Sequence, residues 1–301
     1  MVLAFLVKLR SRLILWFKVL KNFRGLSLSS WFCLWISAFV DILLYAFSST
    51  GFNPRLVFKG LFFYKVKRLG IIVVRGGTDD FYYAIPGREG DVDEFIRSCL
   101  SRGSVFIDVG ANIGYYTLVA SKLVGSSGRI HAIEPVPSTA AILRANIKLN
   151  NCSNVFVHDV AAWSSKGKLV LRIPKSWYGL ASFLCNGMSV TVNATTLDEL
   201  LQSEDSVSCM KIDVEGAELE VLRGAKNILQ KTKYLILELS YNVNEILRKL
   251  QEAGFKCIKA HFTTYVICVQ TKTSNNRTSF YSEDRVFQPY KCNVRNANHE
   301  C

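Results

Sequence analysis

The 301-residue chain lacks the features that would place it in several common classes. It has no Cys-x-x-Cys pair and no Cys/His run with zinc-ligand spacing. Its nine cysteines therefore read as small apolar side chains in a reducing compartment. Several of them, such as Cys209, Cys257 and Cys268, fall in expected strands. No small-x-small cleavage site follows the first apolar stretch, so a removed signal peptide is not expected. Two Asn-x-Thr triplets, at Asn193 and Asn276, stand without other signs of secretion. There is no internal repeat. An Asn/Asp-Pro-Pro-aromatic motif and a Pro-Cys pair are also missing, which weighs against amino-group or cytosine C5 chemistry on nucleic acid.

Acidic residues are nearly absent from the first quarter. Residues 1–70 carry eleven Lys or Arg and one acid, Asp41, and so hold +10 of the net +13 charge. Such a patch suits an anionic membrane face or a polyanion. Residues 1–24 read as a basic, apolar helix, with Leu3, Leu6, Leu9, Leu13, Trp16 and Leu20 at helical spacing. Trp31 to Phe47 is nearly long enough to cross a bilayer. Asp41 near its middle would cost about 2.5–3.5 kcal/mol on insertion. Both flanks are basic, and one crossing would put one of them on the disfavoured side. A hairpin or an interfacial helix keeps both on the cytoplasmic side. A helical cap on the main domain, or a dimer contact, is the alternative. Residues 1–68 are thus an expected helical extension, with membrane association in view. Oligomeric state cannot be read from the chain.

Residues 70–90 read as a hairpin, Ile71–Val74 with Phe81–Ile85. A short helix is expected at 93–100. A regular alternation follows, with strands at 104–109, 129–134, 155–160, 209–213 and 234–239. Helices are expected at 113–124, 138–150, 216–230 and 242–253. That order implies a mostly parallel sheet with helices on both faces. Segments 167–173 and 189–193 are an inserted β pair, and 255–261 with 264–271 a closing antiparallel hairpin. The main domain is expected over 69–272 and a polar tail over 273–301.

Two motifs carry chemistry. In the first, a strand ends at Asp108 and leads through Gly110, Ala111, Asn112 and Gly114 into a helix. A dinucleotide fingerprint has a second glycine where Asn112 stands. That glycine makes room for a pyrophosphate, so its absence argues against a nicotinamide oxidoreductase. Glu134 ends the next strand, where an acid can bind ribose hydroxyls. Asp159 and Val160 end the third strand and would border an adenine ring. In the second motif, Lys211-Ile212-Asp213-Val214-Glu215-Gly216 ends a central strand where open α/β sheets bind ligands. Glu238 ends the next strand. Asp213, Glu215 and Glu238 are candidate bases for removing a hydroxyl proton. The same oxygens could bind an ammonium group or a divalent cation, and no metal ligand set is assigned. His131 reads as structural, and His158 and His261 lie near strand ends. Trp163, Trp177 and Tyr178 border an insert, 163–189, placed to cover a substrate.

The segments FIDVGANIGYYTL (106–118), AIEPVPSTAAILRANIKLNN (132–151) and MKIDVEGAELEVLRGA (210–225) resemble the successive motifs of the FkbM family of methyltransferases. TLDEL (196–200) resembles another feature of that family. The resemblance implies a Rossmann-like, class I methyltransferase fold, S-adenosylmethionine as cofactor and, usually, O-methylation. It also implies that Asp108, Gly110, Ala111, Asn112 and Gly114 line the methionine side of the cofactor, with Glu134 on the ribose. The acceptor expected on this reading is a small molecule, a glycan or a lipid-linked compound. A nucleic-acid methyltransferase and a non-catalytic membrane-bound binding protein of the same fold are the alternatives.

Overall fold

The computed structural model describes residues 2–48, 52–174, 177–182, 186–260 and 264–271. The expected polar tail, Asn276 and His261 lie outside these residues.

The chain opens with α1 (Val2–Asn22), β1 (Phe23–Gly25), α2 (Leu28–Phe47), β2 (Gly60–Val66) and β3 (Gly70–Gly76). Short helices α3 (Asp80–Tyr83) and α4 (Gly90–Cys99) follow. Next come β4 (Val105–Val109), α5 (Tyr115–Val124), β5 (Arg129–Ile133), α6 (Pro137–Leu149) and β6 (Val155–His158). The insert holds β7 (Ala161–Ala162), β8 (Gly167–Ile173), one 3-10 turn at Tyr178–Leu180 and β9 (Met188–Thr195). The chain then runs through α7 (Leu197–Leu200), β10 (Val207–Ile212), α8 (Glu218–Arg223), α9 (Lys226–Gln230) and β11 (Thr232–Glu238). It closes with α10 (Val243–Glu252), β12 (Phe255–Lys259) and β13 (Tyr265–Gln270).

Seven strands form the central sheet in the order β12-β13-β11-β10-β4-β5-β6. The five strands from β11 to β6 are parallel, and β13 runs antiparallel between β11 and β12. This is the Rossmann-like class I methyltransferase architecture expected from the sequence. Alternation along the strands sorts side chains into two cores. Phe106 and Cys209 face one core with α4 and α5. Ile107, Met210 and Ile212 face the other with α7 to α10. The chain order reverses between β4 and β10, and a crevice opens there at the strands' carboxyl ends.

Four expectations need correction. Phe81–Ile85 is not a strand: residues 80–83 are helical, and β3 pairs instead with the upstream β2. Asp80 takes the Arg75 guanidinium at 2.7 and 2.8 Å and its backbone N–H at 2.9 Å, which turns the chain away from the sheet edge. Secondly, the extension is not wholly helical. β2 alternates Phe62, Tyr64 and Val66 inward with Leu61, Phe63 and Lys65 outward, and a boundary at 68/69 would cut the hairpin. Its buried residues join the same core as the main domain, from Trp16 to Ile267. Thirdly, the helix expected over 216–230 is two short ones. Any Cβ at Gly224 between them would collide with the Trp163 carbonyl oxygen. Fourthly, Cys257 and Cys268 are not thiols. They are directly opposed on β12 and β13, with Cα atoms 4.0 Å apart, and form a disulfide. Their eleven-residue separation reveals nothing until the hairpin register is known. Cys33, Cys99, Cys152 and Cys209 are free.

Asparagines on α6 tie the β2–β3 hairpin to the main domain. Asn146 accepts from the Val73 N–H at 2.6 Å, and Asn150 accepts from the Ile71 N–H at 2.9 Å. Both side chains thus stand in for a neighbouring strand along β3. The TLDEL segment is also structural: Thr196 caps α7, and Asp198 accepts the N–H groups of Asn227 and Ile228 at the start of α9.

Candidate active site

The loop after β4 builds one wall of the crevice. Gly110 has φ +79°, and a Cβ there would collide with the Asp213 carbonyl oxygen of the loop after β10. Only glycine lets the two loops meet at the switch point. Gly114, at φ +94°, sits against Leu143 of α6, where a Cβ would lie 2.5 Å from Cδ1. Asn112 also adopts a left-handed conformation, φ +51°, and its side-chain Oδ1 is buried with no hydrogen-bond partner in the protein. A buried acceptor without a donor is costly unless a ligand supplies one.

Asp108 is buried at the end of β4, accepts from the Thr117 hydroxyl at 2.7 Å and has its carboxyl pushed upward by burial. Glu134 is held just beyond β5 by two backbone donors, Val136 N–H at 2.9 Å and Asn112 N–H at 3.0 Å. Burial outweighs those bonds and raises its pKa to about 7. Each oxygen keeps a free lone pair for a ligand hydroxyl.

The opposite wall comes from β10 and its loop. Lys211 and Asp213 share a strand face, as the alternation predicts, and the ammonium bonds the carboxylate at 2.7 Å. Asp213 also accepts the Tyr265 hydroxyl at 2.6 Å. Burial alone would raise Asp213, but Lys211 and these hydrogen bonds hold it well below the usual carboxylate range. Glu215 adopts φ +50°, lines the crevice, and is pushed upward by burial and then by Asp213. Glu238 accepts from the Thr264 hydroxyl at 2.7 Å and is raised by burial and by Asp213. Oxygens of Asp213, Glu215 and Glu238 all lie within 4.8 Å of one another. Folding therefore brings together the three acids nominated from the sequence. Glu238 is not on the crevice wall and stands beside Asp213, whereas Glu215 is on it.

Asp159 and Val160, expected at the third strand's end, do not line the crevice in this structure. Asp159 is half exposed and paired with Arg144 at 2.8 Å, so its carboxylate is engaged at the surface. Ala161, Ala162 and Trp163, one step along the chain, line the crevice instead. His131 bonds His158 and Glu204 at 3.0 and 2.9 Å, in keeping with a structural role. Neither histidine reaches the crevice.

The insert covers the site from above. Tyr178, Gly179, Ala181 and Ser182 line it. Buried Asp79 accepts the N–H groups of Tyr178 and Gly179 at 2.9 and 2.8 Å. Arg75 lies over the Tyr178 ring at 4.0 Å, and Arg55 over Trp177 at 3.6 Å. Ser182 donates its hydroxyl to the Glu215 carbonyl oxygen at 2.8 Å, joining the insert to the acidic loop. Trp177 therefore anchors the cover from outside, while Trp163 and Tyr178 face inward.

Several groups on the wall were not singled out from the sequence. Arg88 pairs with Glu89 and lies over the rings of Tyr82 and Tyr83. Tyr116 donates to Glu89 at 2.7 Å, and Tyr265 touches both Glu89 and Asp213. One signal was available: a lysine inside the central strand β10, buried and in register with Asp108. A buried charge of that kind demands a counter-ion.

The crevice, its open mouth included, spans about 970 Å³. Its acids, Asp108, Glu134, Asp213 and Glu215, outnumber its bases, Arg88 and Lys211. Such a balance suits a ligand carrying positive charge and disfavours a pyrophosphate.

Comparison with known proteins gives the same family as the motifs. The methyltransferase FkbM domain matches residues 108–257. Hexuronic acid methyltransferase AglP of Haloferax volcanii is 30% identical over 170 residues, covering 55% of this chain and 69% of that protein. Methyltransferase 1 of Beauveria bassiana is 29% identical over 182 residues, covering 49% and 73%. Among solved structures, a methyltransferase FkbM from Methylobacillus flagellatus aligns with TM-score 0.41 and 15% identity, over 62% of this chain and 53% of that one. The chain belongs to the methyltransferase FkbM domain family.

Proposed function

We propose that the protein transfers a methyl group from S-adenosylmethionine to a hydroxyl of a sugar or sugar acid. The observation that carries this reading is Glu215, a raised carboxylate on the crevice wall opposite the glycine loop, beside the ionised Asp213. The residues fit the cofactor on three counts. Asn112 offers an unpartnered buried acceptor, Glu134 keeps lone pairs for ribose hydroxyls, and the acidic wall suits a cationic ligand. When bound, S-adenosylmethionine supplies an electrophilic methyl group on a sulfonium.

Glu215 would accept the proton of the acceptor hydroxyl as that oxygen takes the methyl group the bound cofactor would supply. A base tuned toward neutrality suits this step and contributes about 10²–10⁴-fold. Asp213, locked as an anion by Lys211 and Tyr265, is too weak a base for that task. Its fixed charge instead stabilises positive charge in the crevice. Glu238, itself raised by burial and by Asp213, stands behind and hydrogen-bonds Asp213, which helps to hold Asp213 ionised. Closure by Tyr178 and Gly179 excludes water and aligns the reactants, a further source of rate. Lys211 supplies a cation within the carboxylate cluster, bonded to Asp213.

The Haloferax volcanii relative, a hexuronic acid methyltransferase, supports a hexuronic acid as the acceptor to try first. The test is transfer of labelled methyl from S-adenosylmethionine to uronic-acid glycans, with Glu215→Gln in parallel. Label appearing as an ether, and lost with Glu215→Gln, supports the reading. Label on nitrogen, or transfer unchanged in the variant, overturns it.

A further inference from the structure

The N-terminal extension exposes a surface that methyl transfer does not use. α2 reverses the pattern of a helix on a water-soluble surface, which turns polar residues outward. Its inward face carries Ser30, Ser37 and Asp41 among Cys33, Leu34, Ala38 and Ala46. Its outward face carries Leu28, Trp31, Trp35, Phe39, Leu43 and Phe47 at helical spacing, 46–79% exposed. Phe17 of α1 (69%) and Leu61 of β2 (56%) are exposed as well. The Phe63 N–H bonds the Ser30 hydroxyl, so β2 adjoins α2 directly. Isolated exposed apolar residues need no explanation, but a contiguous stripe of this length does.

The inward polar groups are committed and cannot turn outward. Asp41 accepts from Arg12 at 2.5 and 2.7 Å and from the Trp16 indole at 2.5 Å. Ser37 accepts from the Val57 N–H at 3.0 Å. Cations lie beside the exposed apolar residues of α1. Lys18, Lys21, Lys67 and Arg68 line an open groove that also contains Leu13 and Phe17, and Arg97 there is paired with Asp93. This pairing of apolar stripe and basic rim is the complement of a lipid leaflet with anionic headgroups.

We propose that this face seats in one leaflet of an anionic membrane, with α2 lying in the plane of the interface and the basic groove at headgroup level. A crossing fits less well. α2 is long and apolar enough, but 39% of it is buried against the protein. Its partner α1 exposes Arg10, Lys18 and Lys21 along its length. Tyr115 lines both the basic groove and the crevice. Docking in this way holds the proposed active site beside the bilayer, where a lipid-carried acceptor would be presented. The docking itself does not depend on the methyl-transfer reading.

The test is vesicle flotation of the full-length chain, transferred from detergent. Vesicles would be phosphatidylcholine alone, or with about one part in three phosphatidylglycerol. The expected result is flotation at least about ten-fold stronger with the anionic vesicles and weakened by salt. The triple variant Phe17→Ser/Phe39→Ser/Phe47→Ser should lose flotation while keeping helix content by circular dichroism. Lys18→Glu/Lys21→Glu, which leaves the apolar face intact, should lose the preference for anionic vesicles. Wild type that stays at the bottom of the gradient overturns the proposal. So does a lipid-indifferent dimer that the triple variant converts to a monomer, and so does unchanged preference in the charge-reversal variant.

Discussion

Replacing Lys211 by Met tests the electrostatic design of the site. Lys211 is 2% exposed, and its ammonium lies 2.7 Å from Asp213. Asp108 is a second anion in register on the adjacent strand. Removing one partner of a buried pair typically costs 3–5 kcal/mol, because the remaining charge is left uncompensated. Lys211→Met should therefore lower unfolding free energy by about 3–5 kcal/mol at neutral pH. The sign of the pH dependence follows from linkage. Asp213 is held below its unfolded value of roughly 3.9, so its contribution is present above that pH and is lost as pH falls through the folded pKa. Without Lys211, Asp213 rises toward protonation, and the variant's deficit should narrow in acid. The double variant Lys211→Met/Asp213→Asn removes both charges and should recover much of the loss. Urea unfolding of wild type, Lys211→Met, Asp213→Asn and the double variant forms a double-mutant cycle. A single-variant loss under about 1 kcal/mol, or a double variant no better than the single, would refute the reasoning.

Other perturbations probe separate parts of the site. Glu215→Gln should lower kcat by about 10²–10⁴-fold while cofactor-product binding changes little, as calorimetry can check. Because Glu215 is raised and works deprotonated, wild-type rate should climb with pH through its pKa, and the variant's profile should lose that limb. Gly110→Ala forces a Cβ onto the Asp213 carbonyl at a φ of +79°, and should abolish cofactor binding and lower Tm. Asp79→Ala frees two backbone N–H groups of the covering insert. It should raise KM and increase protease cutting near Tyr178, with cofactor affinity less affected. EDTA treatment should leave activity unchanged, since Lys211 already bonds Asp213 in the acidic cluster, and restoration of lost activity by Mg²⁺ or Mn²⁺ would contradict this.

Much of the architecture was legible because it repeats with a period. The strands at Val105–Val109 and Val207–Ile212 announce themselves as short apolar runs ending in acids, and the helices between them carry apolar stripes. The carboxylates came into view for the same reason: the strand ends of a parallel sheet converge at its switch point. What stayed hidden depends on pairing across long separations. The partner of β3 lies upstream, and nothing local distinguishes Phe81–Ile85 as helix until Asp80 is seen to grip Arg75. The disulfide needs the β12–β13 register. Arg88 with Glu89, Tyr116 and Tyr265 come from three separate segments, so no spacing rule gathers them around Lys211. Ala161 and Ala162 on the crevice wall were not singled out, since small apolar residues after a strand carry no chemical signal of their own.

The central claim is that the crevice between Asp108 and Asp213 binds S-adenosylmethionine. Isothermal titration of the full-length protein with S-adenosylhomocysteine tests it most directly, beside Asp108→Ala and Glu134→Ala variants that retain wild-type helix content. Saturable binding by the wild type, weakened by at least about ten-fold in both variants, is the predicted result. No binding by the folded wild type, or equal binding by all three proteins, would contradict it.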